Sequence, residues 1–154
     1  NNGGVRTFDD WRKDGAPMEW PEKLDLLPLY DVYENKDGIK LFLSHAGCTL
    51  WQEKGVQDGT ITLFDDLLWG REHIYDEWDE QCPSNYRVIH GHTPVPLLKE
   101  RLCIFEPIKM GPYWYANDYK CCIDQRTAAN GVACLLNLDT FEYKLFQDPN
   151  FNGW

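Results

Sequence analysis

The sequence has few basic residues, no long apolar run and no Cys-x-x-Cys motif. Its 154 residues contain 15 Lys and Arg against 25 Asp and Glu, which gives a net charge of −10. This balance argues against non-specific binding to nucleic acid or anionic lipid, because both require a basic surface. No segment approaches the roughly 18 apolar residues of a membrane span, and no secretory signal pattern is present. A cytoplasmic location is therefore expected.

The spacing of the cysteines indicates reduced thiols and not metal ligands. Six are present, and none form a Cys-x-x-Cys motif, which argues against a zinc ribbon. Six is an even number, so a secreted disulfide framework stays open as the alternative. With 43% apolar residues, however, the chain can build a core without disulfides. The cysteines are Cys48, Cys82, Cys103, Cys121, Cys122 and Cys134, and the adjacent pair should face opposite sides of a strand.

Apolar periodicity predicts a single α/β domain over residues 1–154, with helices and strands alternating first and antiparallel strands following. Helices are expected at 8–13, from 21 to 27, and from about 62 to 78 with a break near Gly70. A hairpin is expected from strands 29–33 and 39–43, and a further strand at 86–89. From Leu97 onward the pattern predicts strands at 102–108, 113–115, 119–124, 132–138 and 141–146, with a tight turn at Asp139-Thr140 and a loose tail from Asp148.

Two histidine turns are the most informative local feature. His45 lies in Ser44-His45-Ala46-Gly47, directly after a strand-like run, and His90 and His92 lie in His90-Gly91-His92-Thr93-Pro94 after another. The small residues allow a tight turn that directs an imidazole past the end of the sheet. Two neutral imidazoles brought together there could bind a borderline metal such as zinc, iron or manganese.

Each of these residues also has an ordinary structural interpretation. A histidine at a strand end is more often hydrogen-bonded to backbone than bound to metal. His73 is expected to be a solvated or packed side chain, and Arg71 could pair with Glu72 or Asp76 on its own helix. For the aromatic stretch at 113–115, a place in the core is favoured over stacking on a nucleobase.

Four segments in the observed order resemble the C-terminal half of the calcineurin-like metallophosphoesterases. They are residues 42–47, 66–72, 88–95, and the stretch from Cys122-Ile123-Asp124 to Thr140. The opening Asn2-Gly3-Gly4-Val5-Arg6-Thr7 is similar to the Asn-Gly-Gly-x-x-Thr stretch that follows the third motif of that family. The nearest branch is the bacterial serine/threonine protein phosphatase and diadenosine tetraphosphatase group. The resemblance runs from the first residues to about Leu145.

This resemblance implies a fold, a site and a reaction. The fold would be half of an α/β/β/α sandwich, with a mixed sheet and flanking helices. His45 and His92 would ligate the second of two divalent metals (Mn, Fe or Zn), Arg71 would face the phosphate, and His90 would neighbour the site. The reaction would be metal-assisted hydrolysis of a phosphoester. The substrate would be a phosphoprotein, a dinucleoside polyphosphate or a nucleic-acid end, with loops 51–60 and 97–119 as candidate determinants of specificity.

The sequence also departs from the family. The N-terminal motifs Gly-Asp-x-His, Gly-Asp-x-x-Asp-Arg and Gly-Asn-His-Glu are absent, since no Gly-Asp dipeptide occurs and no Asn precedes a His. The usual Ile-Asp-Thr-Gly becomes Ile123-Asp124-Gln125-Arg126. Two histidines without a bridging carboxylate do not neutralise a dinuclear site. The chain alone is therefore expected to be inactive and part of a longer phosphoesterase.

Two alternatives remain: a binding module that keeps the fold without catalysis, and an unrelated α/β domain with structural histidines. Half of a sandwich should also leave apolar sheet surface and a strand edge uncovered. Self-association, a partner chain or the N-terminal half is therefore expected to cover that surface.

Overall fold

The computed structural model describes residues 26–47, 64–75, 84–107 and 109–151, together with residues 13, 15, 19 and 23. The two helices predicted before Leu27 lie almost wholly outside this part of the chain, although Lys13 and Lys23 have helical backbone. The predicted loop at 51–60, the opening residues 2–7, Cys48 and Cys82 also lie outside the described residues.

The centre of the fold is a five-stranded mixed sheet. Its strands are β1 (Tyr30–Glu34), β2 (Lys40–Ser44), β3 (Tyr86–His90), β4 (Tyr113–Tyr115) and β5 (Lys120–Cys122). In space their order is β1-β2-β3-β5-β4. The three central strands β2, β3 and β5 are parallel, whereas β1 and β4 pair antiparallel at the two edges. The predicted mixed α/β class is therefore confirmed.

The first hairpin forms as the sequence predicts. Tyr30 lies opposite Ser44, and Glu34 lies opposite Lys40. The connecting turn is organised by Asn35, which is buried and whose Oδ1 accepts hydrogen bonds from the backbone N–H groups of Asp37 and Ile39. The side chain of Asn35 thus replaces backbone partners that the turn would otherwise lack.

Two helical segments connect β2 to β3. Helix α1 covers Phe64–Trp69, and a 3₁₀ turn covers Glu72–Tyr75. The break between them is at Gly70 and Arg71, where the sequence predicted it. Within the described residues 64–75, helical backbone is interrupted only at this break, as predicted, and the two ends of the predicted range 62–78 lie outside the described residues.

The prediction of a strand at 102–108 is wrong over the described residues 102–107, which form a turn and a loop. They follow a helix that the sequence did not predict, α2, at Val95–Arg101. Proline in its first turn costs no hydrogen bond, since those N–H groups have no partner inside a helix. Leu98 and Val95 are buried on one face. After α2 the chain turns, and the ammonium of Lys99 donates to the carbonyls of Glu106 and Pro107, which fixes this segment as a loop. A short helix that the sequence did not predict, α3, covers Thr127–Asn130.

The sheet is covered on both faces. Helices pack on one face, where Phe42 and Val88 meet Leu67 of α1, and Cys122 meets Leu98 of α2. On the other face lies a hairpin of β6 (Val132–Leu136) and β7 (Tyr143–Gln147). Its Leu136 packs against buried residues Leu41, Ile89 and Cys121. Cys121 and Cys122 thus face opposite sides, as the sequence predicted.

The β6–β7 hairpin turns where predicted. The Asn137 side-chain oxygen accepts hydrogen bonds from the N–H groups of Asp139 and Thr140. The prediction of a loose tail from Asp148 is wrong as far as Phe151. The Asp148 N–H donates a hydrogen bond to the Gly131 carbonyl. The Phe151 side chain packs so closely against Gly131 that a Cβ atom added to this glycine would lie 2.6 Å from Cγ of Phe151.

The outer side of this hairpin remains apolar and exposed. Leu135 is 61% exposed and Phe146 is 54% exposed. A covering partner or self-association stays a prediction. The four cysteines in the described part of the chain, Cys103, Cys121, Cys122 and Cys134, are free thiols. No helix among the described residues is both long and apolar enough to cross a bilayer.

A matched pair of leucines tests the core. Leu41→Ala removes a side chain that is 0% exposed at the interface of sheet and hairpin, and it should cost about 2–5 kcal/mol of unfolding free energy. Leu135→Ala, on the exposed side of β6, should cost less than about 0.5 kcal/mol. Urea unfolding followed by tryptophan fluorescence measures both. Equal losses would show that the hairpin does not cover the sheet as described.

Candidate metal and phosphate site

The parallel pairing of β2, β3 and β5 brings their C-terminal ends to one edge of the sheet. The residues that follow these strands are His45, Gly91-His92 and Asp124. Backbone hydrogen bonds join the loops that follow β2, β3 and β5. The Gly91 N–H donates to the His45 carbonyl at 2.8 Å, and the Ile123 N–H donates to the His90 carbonyl at 2.9 Å. The Ala46 N–H bonds the Leu67 carbonyl at 2.8 Å, which joins α1 to the same edge.

His45 and His92 lie side by side at this edge. Their ring centroids are 5.1 Å apart, and the Trp69 ring stands edge-on to His92 at 5.4 Å. His45 is exposed, whereas His92 is partly buried. The Nε2 atom of His92 is buried without a hydrogen-bond partner among the described residues. His92 also has a φ of 61°, which is a costly conformation for a residue with a Cβ and is typical of functional sites.

Arg71 lies near Trp69 and His92. It follows the break after α1, and its Nη1 approaches the Trp69 carbonyl at 3.5 Å. The pKa of His92 is lowered from its usual value, mainly by burial and then by the nearby charges of Arg71 and His45, while Asp124 and a hydrogen bond to the Trp69 backbone oppose the shift. His92 is therefore held neutral at pH 7, which is the form that binds metal.

His90 and His73 form a buried polar cluster behind this edge. His73 is 2% exposed, His90 is 1% exposed, and their rings are 4.8 Å apart. The His90 ring shares a hydrogen bond of 2.7 Å with the Tyr115 hydroxyl, and the ammonium of Lys120 donates to the His73 carbonyl. His73 is thus packed and not solvated. Tyr115 is buried, in agreement with the core interpretation of the aromatic stretch.

Burial keeps both histidines of this cluster neutral. It lowers the pKa of His73 to about 2, with further contributions from His90 and Lys120. It lowers the pKa of His90 to about 4, although a hydrogen bond to the Gly91 backbone acts the other way.

The buried cluster supports the first histidine turn through Gly47. Gly47 has a φ of 99°, and a Cβ at this position would lie 2.6 Å from Nε2 of His73. Glycine is therefore needed both for the backbone conformation and for the close approach of the ring. The sequence indicated a tight turn here, but no pattern showed which side chain would pack against it.

The third loop, 123–126, keeps a compact shape although it lacks the usual glycine. Arg126 itself adopts the left-handed conformation, with a φ of 62°, and its N–H bonds the Asp124 carboxylate at 2.7 Å. Gln125 is buried and makes two 2.8 Å hydrogen bonds, donating to the Gly111 carbonyl and accepting from its N–H. The sequence pattern assigned no role to Asp124 or Gln125. The signal that could have found them is the polar sequence directly after a buried strand.

The donor set fits one half of a metal site. The unpartnered Nε2 of His92 beside the His45 ring suits a divalent cation that accepts imidazole. No group of three or more His, Cys, Asp or Glu that could hold a metal occurs in the described ranges. A concave surface of about 870 Å³ is lined by residues 135–137 and 140–144 of the β6–β7 hairpin and contains none of the predicted site residues.

Comparison with protein-family models, with curated proteins and with solved structures finds no match to this chain.

The neutral histidines should make the fold sensitive to acid. An unfolded histidine has a pKa of about 6.5, so below that pH the unfolded chain binds protons that folded His73 and His90 do not. Stability should be complete above about pH 6.5 and should fall by up to about 1.4 kcal/mol per pH unit per histidine as the pH drops toward 5. Urea unfolding at several pH values, compared with His73→Leu, measures this slope. An identical slope in the variant would contradict the assignment to His73.

Proposed function

We propose that this chain is the C-terminal, metal- and phosphate-facing half of a metal-dependent phosphoester hydrolase of the calcineurin-like metallophosphoesterase kind. The observation that carries the proposal is the meeting of the His45 and His92 rings at 5.1 Å, at the edge where parallel strands end. The layer arrangement supports it as well. Helices cover one face of a mixed sheet and a second sheet covers the other, as expected for half of an α/β/β/α sandwich.

The chain would supply imidazole ligands and would hold them in place. The Nε2 atom of His92 is free to bind a cation, and the hydrogen bond with the Trp69 backbone orients the ring. The bond between the Gly91 N–H and the His45 carbonyl fixes the two turns relative to each other. When bound, divalent metals such as Mn, Fe or Zn would polarise the phosphoryl group and activate water.

Arg71 would bind the phosphate. Its charge lowers the pKa of His92, which supports a position of the guanidinium near the imidazole pair. A planar guanidinium can donate two parallel hydrogen bonds to phosphate oxygens, which gives direction as well as charge. His90 would act only indirectly, because its ring is buried and bonded to Tyr115.

The described residues would supply only part of such a site. No group of three or more His, Cys, Asp or Glu among them could hold a metal, so the anionic ligands that a dinuclear centre needs would come from elsewhere in the intact enzyme. The catalytic activity is therefore proposed for the intact enzyme, acting on a phosphorylated substrate. This chain would contribute a partial site.

Zinc titration tests the proposed ligands. In ¹⁵N spectra of the imidazole side chains, Zn²⁺ should move one ring nitrogen of His45 and one of His92, while the nitrogens of buried His73 and His90 stay in place. His45→Ala or His92→Ala should weaken binding at least about tenfold, because each removes one of two ligands.

His73→Leu is the matched control, since it removes a neighbouring imidazole that is not a proposed ligand. It should leave the zinc affinity within a factor of about two once folding is verified by circular dichroism. Unchanged His45 and His92 signals at millimolar Zn²⁺ would overturn the metal assignment.

Hydrolysis of p-nitrophenyl phosphate tests the incomplete site. With Mn²⁺ or Zn²⁺ added, the 154-residue chain should give a rate indistinguishable from that of the metal alone. Rapid hydrolysis that is lost in His92→Ala would show that these residues already form a complete catalytic centre.

A further inference from the structure

A groove begins next to the candidate site and runs along α2. It has a volume of about 610 Å³, within the range of small-ligand sites. At one end it is lined by Pro94, two residues after His92, and by Arg126, two residues after Asp124. Because both residues follow parallel strands that end at the same edge, this part of the groove lies near the edge that carries His92.

The walls of this groove combine apolar surface with separated charges. Pro96, Leu97 and Phe105 provide the apolar part, and the Phe105 side chain is 91% exposed. Glu100 and Glu106 line the groove farther along α2 and the loop after it. The buried ammonium of Lys99 holds this loop by its hydrogen bonds to the carbonyls of Glu106 and Pro107, so the far wall is already formed.

The backbone of Arg126 is strained, which points to a role for its side chain. A φ of 62° favours glycine, and a residue with a Cβ pays about 1–2 kcal/mol there. The backbone N–H of Arg126 donates to the Asp124 carboxylate, and the exposed guanidinium makes no ion pair with another described residue. A glycine would fit the loop better but would remove this exposed cation from the wall of the groove.

We propose that this groove binds the peptide segment around a phosphorylated residue, with Arg126 facing the phosphate and Glu100 and Glu106 selecting a basic residue farther along. This inference rests on the proposed phosphoester hydrolase function and names its substrate class. The carboxylates favour a peptide over a dinucleoside polyphosphate, because a polyphosphate would carry negative charge along their wall. The net charge of −10 acts in the same direction.

The geometry also sets the spacing of the basic residue. From Pro94 to Glu100 a helix rises about 9 Å, at about 1.5 Å per residue. An extended peptide covers this distance in about three residues, at about 3.3 Å each. The preferred substrate should therefore carry a basic residue about three positions from the phosphorylated one, with apolar residues between them.

Fluorescence anisotropy with synthetic heptapeptides tests this on the 154-residue chain, in buffer with EDTA. The probe has a central phosphothreonine, leucine on both sides and lysine at both ends, and its counterpart has glutamate at both ends. The lysine peptide should bind about two- to fivefold tighter, the effect of an exposed ion pair. The double variant Glu100→Lys/Glu106→Lys should reverse this preference.

Glu34→Lys/Glu142→Lys changes the net charge equally at exposed positions outside the groove, and it should keep the preference for lysine. Equal affinity for the two peptides, or the same reversal in both double variants, would overturn the assignment. A competition experiment checks the choice of a phosphopeptide over a dinucleoside polyphosphate. If diadenosine tetraphosphate displaces the labelled peptide at a lower concentration than unlabelled phosphopeptide does, this choice is overturned.

Arg126→Gly separates binding from stability. It should abolish the preference for the phosphorylated over the unphosphorylated lysine peptide, while the melting temperature stays the same or rises because the backbone strain is relieved. Arg126→Ala keeps the strain and should lose the same preference without the gain in stability. A preserved preference in both variants would overturn the role of Arg126. Because EDTA removes metal, a failure here is distinct from a failure of zinc binding at His45 and His92.

Discussion

The parallel pairing of β2, β3 and β5 is the constraint on which the candidate site depends. Parallel strands must end at the same edge, so residues that are far apart in sequence meet there without any direct attraction between them. The edge then needs loops that turn sharply, and each loop uses a different solution. The first uses Gly47 at a φ of 99°, the second accepts a left-handed His92, and the third accepts a left-handed Arg126.

The buried cluster behind the edge explains how these loops keep their shape. His73 fills the space that Gly47 leaves, the His90 ring contacts His73 edge-on, and Tyr115 holds His90 by a hydrogen bond. Lys120 completes the group by donating to the His73 carbonyl. The Nε2 atom of His73 is buried without a hydrogen-bond partner among the described residues, which is costly, but the other contacts of this polar network fix one arrangement of the turns. The histidine turns are therefore rigid because of residues that have no proposed contact with metal or phosphate.

Much of this edge could be predicted from the sequence, because strand ends followed by small residues are a local signal. The hairpin of β1 and β2, the strand before His90 and the break at Gly70 all follow from local patterns. The helix α2 could not be predicted in the same way, since Val95-Pro96-Leu97-Leu98 is as compatible with extended chain as with a helical first turn. Tertiary packing of Val95 and Leu98 decides it. Gly47 packs against His73, which is 26 positions away in the sequence, and Gln125 bonds Gly111, which is 14 positions away. No local sequence pattern encodes such contacts.

The electrostatics of the edge indicate what the proposed site would need besides the described residues. Burial and the neighbouring cations Arg71 and Lys120 keep His73, His90 and His92 neutral, which suits metal ligation but adds no negative charge. Asp124 is the carboxylate that acts on His92 from the same edge, and it already accepts the Arg126 N–H. A divalent cation bound between His45 and His92 would therefore gain no negative charge from the imidazoles, and the guanidinium of Arg71 would add positive charge nearby. Such a cation is stable only when anionic groups approach from the open side, and phosphate oxygens or carboxylates of a second segment have that charge. In the proposed enzyme, the metal would thus bind tightly only when negative charge is supplied to the site. Bound phosphate and the carboxylates of a second segment would both supply it, so metal binding is coupled to both.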